Sequence, residues 1–371
     1  MMIWRCDLVP QYMAYASEID EAIKRVLGTG RYVLADEVAN FEQEFVTYVG
    51  TRYAVGVANG TDALIVALKA FGVGIGDEVI TTPYTAIPTI SAIVAAGAKP
   101  VFTDVDQATF LMDIEQIPQL LSPRTKAIIP VHIFGNMVDI ERLRALLPRP
   151  IPILEDAAQA HGSTLRGRQA GSMGEASAFS FYPTKNLGGY GDGGAIVTDD
   201  AELAHKLKLL RMYGMTDKDH IVIHGVNTRL DEIQAAILSI KLRYLDEMNR
   251  RRNTLAAIYC SRLNAQYFSP QQIPQEVFCN FHVFTARFHG DRRALMAYLD
   301  QEGIQTNIYY LLPLHLQEAN AHLGYRRGDL PRVEALCDEV IALPMYAEFP
   351  VDTLEFVIER LNRFCTDSPA A

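Results

Sequence analysis

One lysine, Lys185, lies between an apolar run that includes Ala178, Phe179, Phe181 and Tyr182 and a stretch of seven residues, 188–194, of which five are glycine. An amine held in such dehydrated surroundings is kept neutral, and a neutral amine can attack a carbonyl carbon or carry a proton. The other reading is an ordinary glycine turn with a lysine on it. A nucleotide loop is excluded, because in G-x-x-x-x-G-K-[ST] the lysine follows the glycines, whereas Lys185 precedes them. Asp156 ends the run ILED, and a carboxylate there is costly unless a cation meets it. That cation is either a structural arginine or lysine, or a positive charge on a ligand, such as a protonated pyridine nitrogen. If the chain turns helical after Asp156, Gln159, one turn on, is placed to donate to an oxygen beside that ring.

Other residues extend the pattern. In NGTDAL, Gly60 and Thr61 stand at a helix start, where free amides and the helix dipole favour an anion. The segment is either a plain N-cap through Asn59 or Thr61, or a phosphate cradle to which Ser180 adds a hydroxyl. Tyr84 is either core or a flat partner for a heteroaromatic ring. His161 reads as structural, or as a neighbour of the reacting groups. A phosphate cradle, a carboxylate for a cationic ring, an aromatic plate and a lysine beside a glycine-rich loop are all used by one ligand, pyridoxal 5'-phosphate.

The elements that must hold these residues lie between 53 and 198. Short apolar runs (YAVGVA, DEVITT, KPVFTDV, KAIIPV, IPILED, ASAFSFY and GAIVTD) alternate there with helical patterns such as DALIVALKAFG. Such runs predict strands buried on both faces of a parallel sheet wrapped in helices. Ligands of such sheets gather beyond the carboxyl ends of the strands, where the residues named above fall. From about residue 228 a long helical pattern leads to an alternating run, FHVFTARF, and further helices, which predict a smaller α+β domain. The expected division is a large domain over 1–245 and a small C-terminal domain over 246–371.

Composition limits the function classes. The 371 residues carry 34 basic and 44 acidic side chains, a net charge of −10, which argues against a nucleic-acid footprint and against docking on an anionic membrane. Arg5 and Asp7 interrupt the N-terminal segment before a signal-peptide core can form, so a cytoplasmic location is expected. The five cysteines are scattered without C-x-x-C spacing, which suggests neither a disulfide framework nor a metal site.

Over nearly its whole length the chain resembles the DegT/DnrJ/EryC1/StrS family of sugar aminotransferases, which have the fold type I architecture of pyridoxal-phosphate enzymes. The motifs that carry the resemblance are RYVLADEVANFEQEF, VANGTDAL, TAIPTISAIVAAGAKPVFTDVD, EDAAQAHG, SFYPTKNLGGYGDGGAIVTDD, GVNTRLDEIQAAIL, YYLLPLHL and ALPMY. Ala35 departs from the glycine common in relatives, at a loop position.

The resemblance implies a role for each candidate. Lys185 would carry the cofactor as a Schiff base and shuttle the proton. Asp156 would pair with the pyridine nitrogen, Gln159 with the ring hydroxyl oxygen, and Tyr84 would cover the ring face. Gly60, Thr61 and Ser180 would bind the phosphate, joined by Asn227 of the partner subunit, so a homodimer with shared sites is implied. Tyr182, Arg229 and His315 would contact the substrate, a nucleotide-linked ketosugar, with glutamate as amino donor. TAIPT and RMYG point to C3 of a thymidine-diphosphate 3-keto-6-deoxyhexose. The alternatives are a 4-keto sugar nucleotide, a dehydratase of the same fold, and a non-catalytic cofactor-binding regulator. Dehydratase relatives have histidine where this chain has Lys185, and no DNA-binding module fits before the cofactor motifs begin near residue 53.

Overall fold

The computed structural model describes residues 2–367. Two helices precede the first strand, α1 (Val9–Thr29) and α2 (Asp36–Val49). Next come β1 (Tyr53–Val57), α3 (Gly60–Ala70), β2 (Glu78–Thr81), α4 (Ile87–Ala95), β3 (Lys99–Phe102), α5 (Ile117–Leu120), β4 (Thr125–Ile128), α6 (Ile140–Leu146) and β5 (Leu154–Asp156). A hairpin, β6 (Thr164–Leu165) and β7 (Arg168–Gln169), leads to β8 (Ala176–Ser180), β9 (Gly194–Thr198) and α7 (Ala201–Leu210).

The strands pair in the orders β3-β2-β4 and β1-β9-β8-β5, and parallel bridges at Ile128–Ile153 and Val131–Asp156 join the two groups into one continuous sheet. The pairs β2–β3, β2–β4 and β5–β8 are parallel, as expected of runs without polar alternation. β9 is the exception, antiparallel to both β8 and β1. A parallel crossover needs a dozen or more residues that usually form a helix, whereas the glycine-rich connection from β8 to β9 forms none. The sheet is therefore mostly parallel, with one reversed strand. Val55, Val57, Ile80, Ile128, Ile153 and Ile196 are fully buried within it.

Beyond the sheet runs α8 (Glu232–Arg262), a helix of 31 residues. Its first half packs into the large core through Ala235, Leu238, Leu242, Leu245 and Met248. Its second half enters a separate core through Leu255, Ala256 and Tyr259. That second core is built on β10 (Phe268–Pro270), β12 (Phe284–Phe288) and β13 (Val340–Leu343), an antiparallel sheet, while β11 (Val277–Phe278) pairs with β6. The helices α9 (Arg292–Gln301) and α11 (Val351–Asp367) cover it with Leu295, Leu299, Leu354 and Leu361, and α10 (Pro331–Glu339) packs Val333 and Leu336 into the large core. Among the described residues no helix is long and apolar enough to cross a membrane, and no group of histidine, cysteine, aspartate and glutamate is arranged to hold a metal ion.

Candidate active site

A cavity of about 230 Å³ opens beyond the carboxyl ends of the parallel strands, and Gly60, Thr61, Asp156, Gln159, Ser180, Tyr182 and Lys185 all line it. Residues up to 125 positions apart in the chain thus meet because β1, β5 and β8 end on the same side of one sheet.

The anion end is the start of α3. Asn59 caps it, its side chain accepting from the Asp62 amide at 2.8 Å. That cap leaves the amides of Gly60 and Thr61 at the helix start, without acceptors inside the helix. A methyl group on Gly60 would come within 2.6 Å of the Ser180 Cβ, so glycine here is what allows the helix start and the Ser180 hydroxyl to share one wall. Gly60→Ala should therefore displace Ser180, destabilise the protein by about 1–3 kcal/mol and weaken cofactor binding, as read by thermal unfolding and by cofactor titration. Wild-type values in both would mean that the two groups do not act together.

The opposite end is charged. Asp156, the last residue of β5, is 5 % exposed. Its carboxylate accepts from the Thr89 hydroxyl at 2.8 Å and from the Ala158 amide at 3.2 Å. Burial raises its pKa, against the effects of those two donors, Lys185 and His132. Among the described residues no arginine or lysine forms an ion pair with it, and the cation whose field reaches it is Lys185 itself. Lys185 follows β8 in a tight turn, its amide donating to the Tyr182 carbonyl at 2.8 Å. Burial pushes its amine down to about 8, against the pull of the Asp156 carboxylate. A lysine so placed is neutral far more often than a surface lysine at ordinary pH. Gln159 is oriented by Phe134, whose amide donates to its Oε1 at 2.9 Å, and by Tyr310, whose hydroxyl accepts from its Nε2 at 3.4 Å.

His161 is buried between the rings of Phe179 and Phe181. Burial and the nearby Lys185 push it down to about 3, so it stays neutral. It packs behind the lysine and does not line the cavity.

Four expected positions differ. Tyr84 is 0 % exposed, ringed by Phe110, Phe134 and Tyr310, with its hydroxyl donating to the Tyr309 carbonyl. It does not line the cavity, so its assignment as the plate over the ring is corrected: the chain turns its next residues, Thr85 and Ala86, to that wall instead. His315 is likewise an interior residue. It contacts Glu334 at 3.2 Å and packs on Phe102 and Tyr325, which takes it off the substrate path. Arg229 does not reach the cavity of its own chain, its guanidinium lying 3.8 Å from the Met212 sulfur. Asn227 is exposed and also outside that cavity, next to Thr228, whose hydroxyl accepts from the Ala58 amide at 2.9 Å.

The glycines after Lys185 serve the packing of the loop. None of them has a positive φ or lines the cavity. An added Cβ would meet the Pro183 carbonyl at 2.4 Å from Gly188, the Gln234 side chain at 2.6 Å from Gly189, and the Asn59 carbonyl at 2.4 Å from Gly194. They let the loop pack against its own protein.

Ala86, Pro88, Thr89 and Asp192 also line the wall and escaped sequence reasoning. The hydroxyls of Thr85, just before α4, and Thr89, within it, lie 2.8 Å from each other.

The family model for the DegT/DnrJ/EryC1/StrS aminotransferase family matches residues 14–362. The dTDP-3-amino-3,6-dideoxy-alpha-D-galactopyranose transaminase of Aneurinibacillus thermoaerophilus is 42% identical over 98% of this chain and 99% of its own. The crystal structure of DesV from S. venezuelae, in complex with a ketimine intermediate, superposes with a TM-score of 0.95 at 41% identity, covering 98% of both chains. That of NtdA from Bacillus subtilis, with bound cofactor PMP, gives 0.89 at 31% identity over 95% of this chain and 82% of its own. The match spans the cavity residues and both cores, and the chain belongs to the DegT/DnrJ/EryC1/StrS aminotransferase family.

Proposed function

We propose that the chain is a pyridoxal-phosphate-dependent aminotransferase that moves an amino group from glutamate to C3 of a dTDP-linked 3-keto-6-deoxyhexose. The observation that carries the cofactor reading is the pairing, across one cavity, of a buried carboxylate without a protein cation and a lysine whose amine burial pushes down to about 8. The sugar class is supported by the activity named for the Aneurinibacillus relative.

The residues present fit the group. Gly60, Thr61 and Ser180 would hold its phosphate, Asp156 its ring nitrogen, Gln159 its ring oxygen, and Lys185 its aldehyde carbon. When bound, pyridoxal phosphate supplies an electron sink that makes a hydrogen on the donor's α-carbon removable. The chain's part is positioning and proton transfer. Asp156 would keep a proton on the ring nitrogen, and Thr89 and the Ala158 amide hold that carboxylate in place. Lys185, whose amine at about 8 gives a usable neutral fraction when free, would take a proton from one carbon and deliver it to another. Tyr182, half exposed and lining the cavity, would contact the sugar.

The working unit we propose is a cytoplasmic homodimer in which Asn227 of the partner subunit completes the phosphate site. Exposed Tyr213, Ile221 and Val222 beside Asn227 supply apolar surface for a second copy to cover.

The test is incubation with glutamate and a panel of dTDP-linked 3-keto and 4-keto 6-deoxyhexoses, with NMR of the products. The expected result is an amino group at C3 and no amination of the 4-keto sugars. Amination at C4 alone would overturn the position, and loss of a hydroxyl without amination would point to the dehydratase.

A further inference from the structure

One face of α8 carries Gln234, Lys241, Asn249 and Arg252, and each spends its side chain on the backbone or on a polar group of another element. Gln234 accepts from the Tyr190 amide at 2.8 Å. Lys241 donates to the Gly188 carbonyl at 2.5 Å, with its ammonium 4.8 Å from the centre of the Tyr190 ring. Asn249 accepts from the Asn186 side chain at 2.8 Å and donates to the His161 carbonyl at 2.9 Å. Arg252 continues the row into the second core, donating to the carbonyls of Phe281 and His282. Asn186, Gly188 and Tyr190 are alternate residues of the loop that begins at Lys185, so three of these four side chains grip one loop.

Lys241 is the unusual member. It is 0 % exposed, and among the described residues no carboxylate forms an ion pair with it. Burial pushes its amine down to about 8, with Glu348 opposing. Where a buried cation serves packing alone, an apolar side chain of similar length is neutral or stabilising. The place of this lysine is accounted for by what it holds. Gly188 also sits where a Cβ would strike the Pro183 carbonyl, so the turn that carries Lys185 is tight and has its outer carbonyl tied to α8.

We propose that Lys241 is a positioning residue for the aminotransferase reaction: by holding the Gly188 carbonyl, with Gln234 and Asn249 on either side, it fixes the direction in which Lys185 enters the cavity. The proposal rests on Lys185 being the attachment point of the cofactor, and its test separates the two.

The full chain is compared as wild type, Lys241→Met and Lys241→Gln. The two substitutes match in length and differ in that only glutamine can donate to Gly188. Hydrogen exchange over 186–191 is read with and without saturating pyridoxal 5'-phosphate, along with the rate at which borohydride-trapped cofactor appears on the Lys185 peptide. In Lys241→Met the loop amides should exchange about 10-fold faster or more, trapping should slow by a similar factor, and kcat should fall with KM little changed. Lys241→Gln should recover most of each loss. If Lys241→Met exchanges and traps like wild type, or if Lys241→Gln is as impaired as Lys241→Met, the proposal is wrong. No adduct on Lys185 in the wild type overturns the attachment point instead, while the exchange data still report on the loop. Should Lys241→Met fail to fold, Gln234→Leu reads the same row: faster exchange at Tyr190 with slower trapping upholds it, and wild-type behaviour overturns it.

Discussion

Lys185→Ala is expected to lose turnover by a factor of about 10⁴ or more, because it removes both the covalent holder of the cofactor and the group that moves the proton. The purified wild type should be coloured, lose that colour with borohydride and retain the adduct on the Lys185 peptide, whereas the variant should give no adduct there. Free amine chemistry supplies a second reading. In protein freed of cofactor, acylation of Lys185 should rise with pH through about 8, where an ordinary lysine titrates near 10.5. A midpoint near 10.5 would mean that the amine is hydrated and not held as the structure places it. The same variant tests the shared site. Mixed under conditions of subunit exchange with Asn227→Ala, it should recover activity. One site of the mixed dimer then combines the intact lysine of one protomer with the intact asparagine of the other. If Asn227→Ala is itself impaired, exchange is demonstrated and no recovery follows, Asn227 serves its own chain.

What the sequence disclosed was governed by distance along the chain. Asp156, Gly60, Thr61 and Ser180 were legible because they end a strand or start a helix, and Gln159 and Lys185 because they follow strand ends within a few residues, all within runs whose pattern is local. In a sheet of this kind, strand ends alone bring such residues to one cavity. Thr89 was not legible as a partner of Asp156: 67 residues separate them, and only packing of α4 over β5 makes the contact. The direction of Tyr84 was hidden for a different reason. Beyond the last paired residue of β2 the alternation of side chains stops, so nothing local decides whether Tyr84 or Ala86 faces the ligand. His315 was named from the resemblance alone, and its contact with Glu334, 19 residues on in α10, could not be seen from the local sequence. The reversal of β9 was within reach of the sequence, since no helix pattern separates it from β8.

Asp156→Asn is expected to lower turnover by about 10²-fold to 10³-fold while cofactor remains bound, since the change keeps the shape of the side chain and removes its charge. The Thr89 hydroxyl can still meet the amide oxygen, so the contact at 2.8 Å survives in one of the two amide orientations and the fold should be preserved. What is lost is the anion that makes protonation of a ring nitrogen favourable in a buried setting. The loss should appear in kcat more than in KM, because a protonated ring matters most when negative charge develops next to it. Thermal stability should hold or rise: the wild-type carboxylate is buried with two neutral donors and no protein cation, and a neutral amide there costs less to desolvate. Asp156→Glu separates charge from geometry, keeping the anion but moving it by one methylene. If Asp156→Asn keeps wild-type turnover, the carboxylate is not the partner of a cationic ring. If instead it unfolds the protein while Asp156→Glu does not, Asp156 is balancing a cation of the protein itself, and the reading of this cavity fails at its charged end.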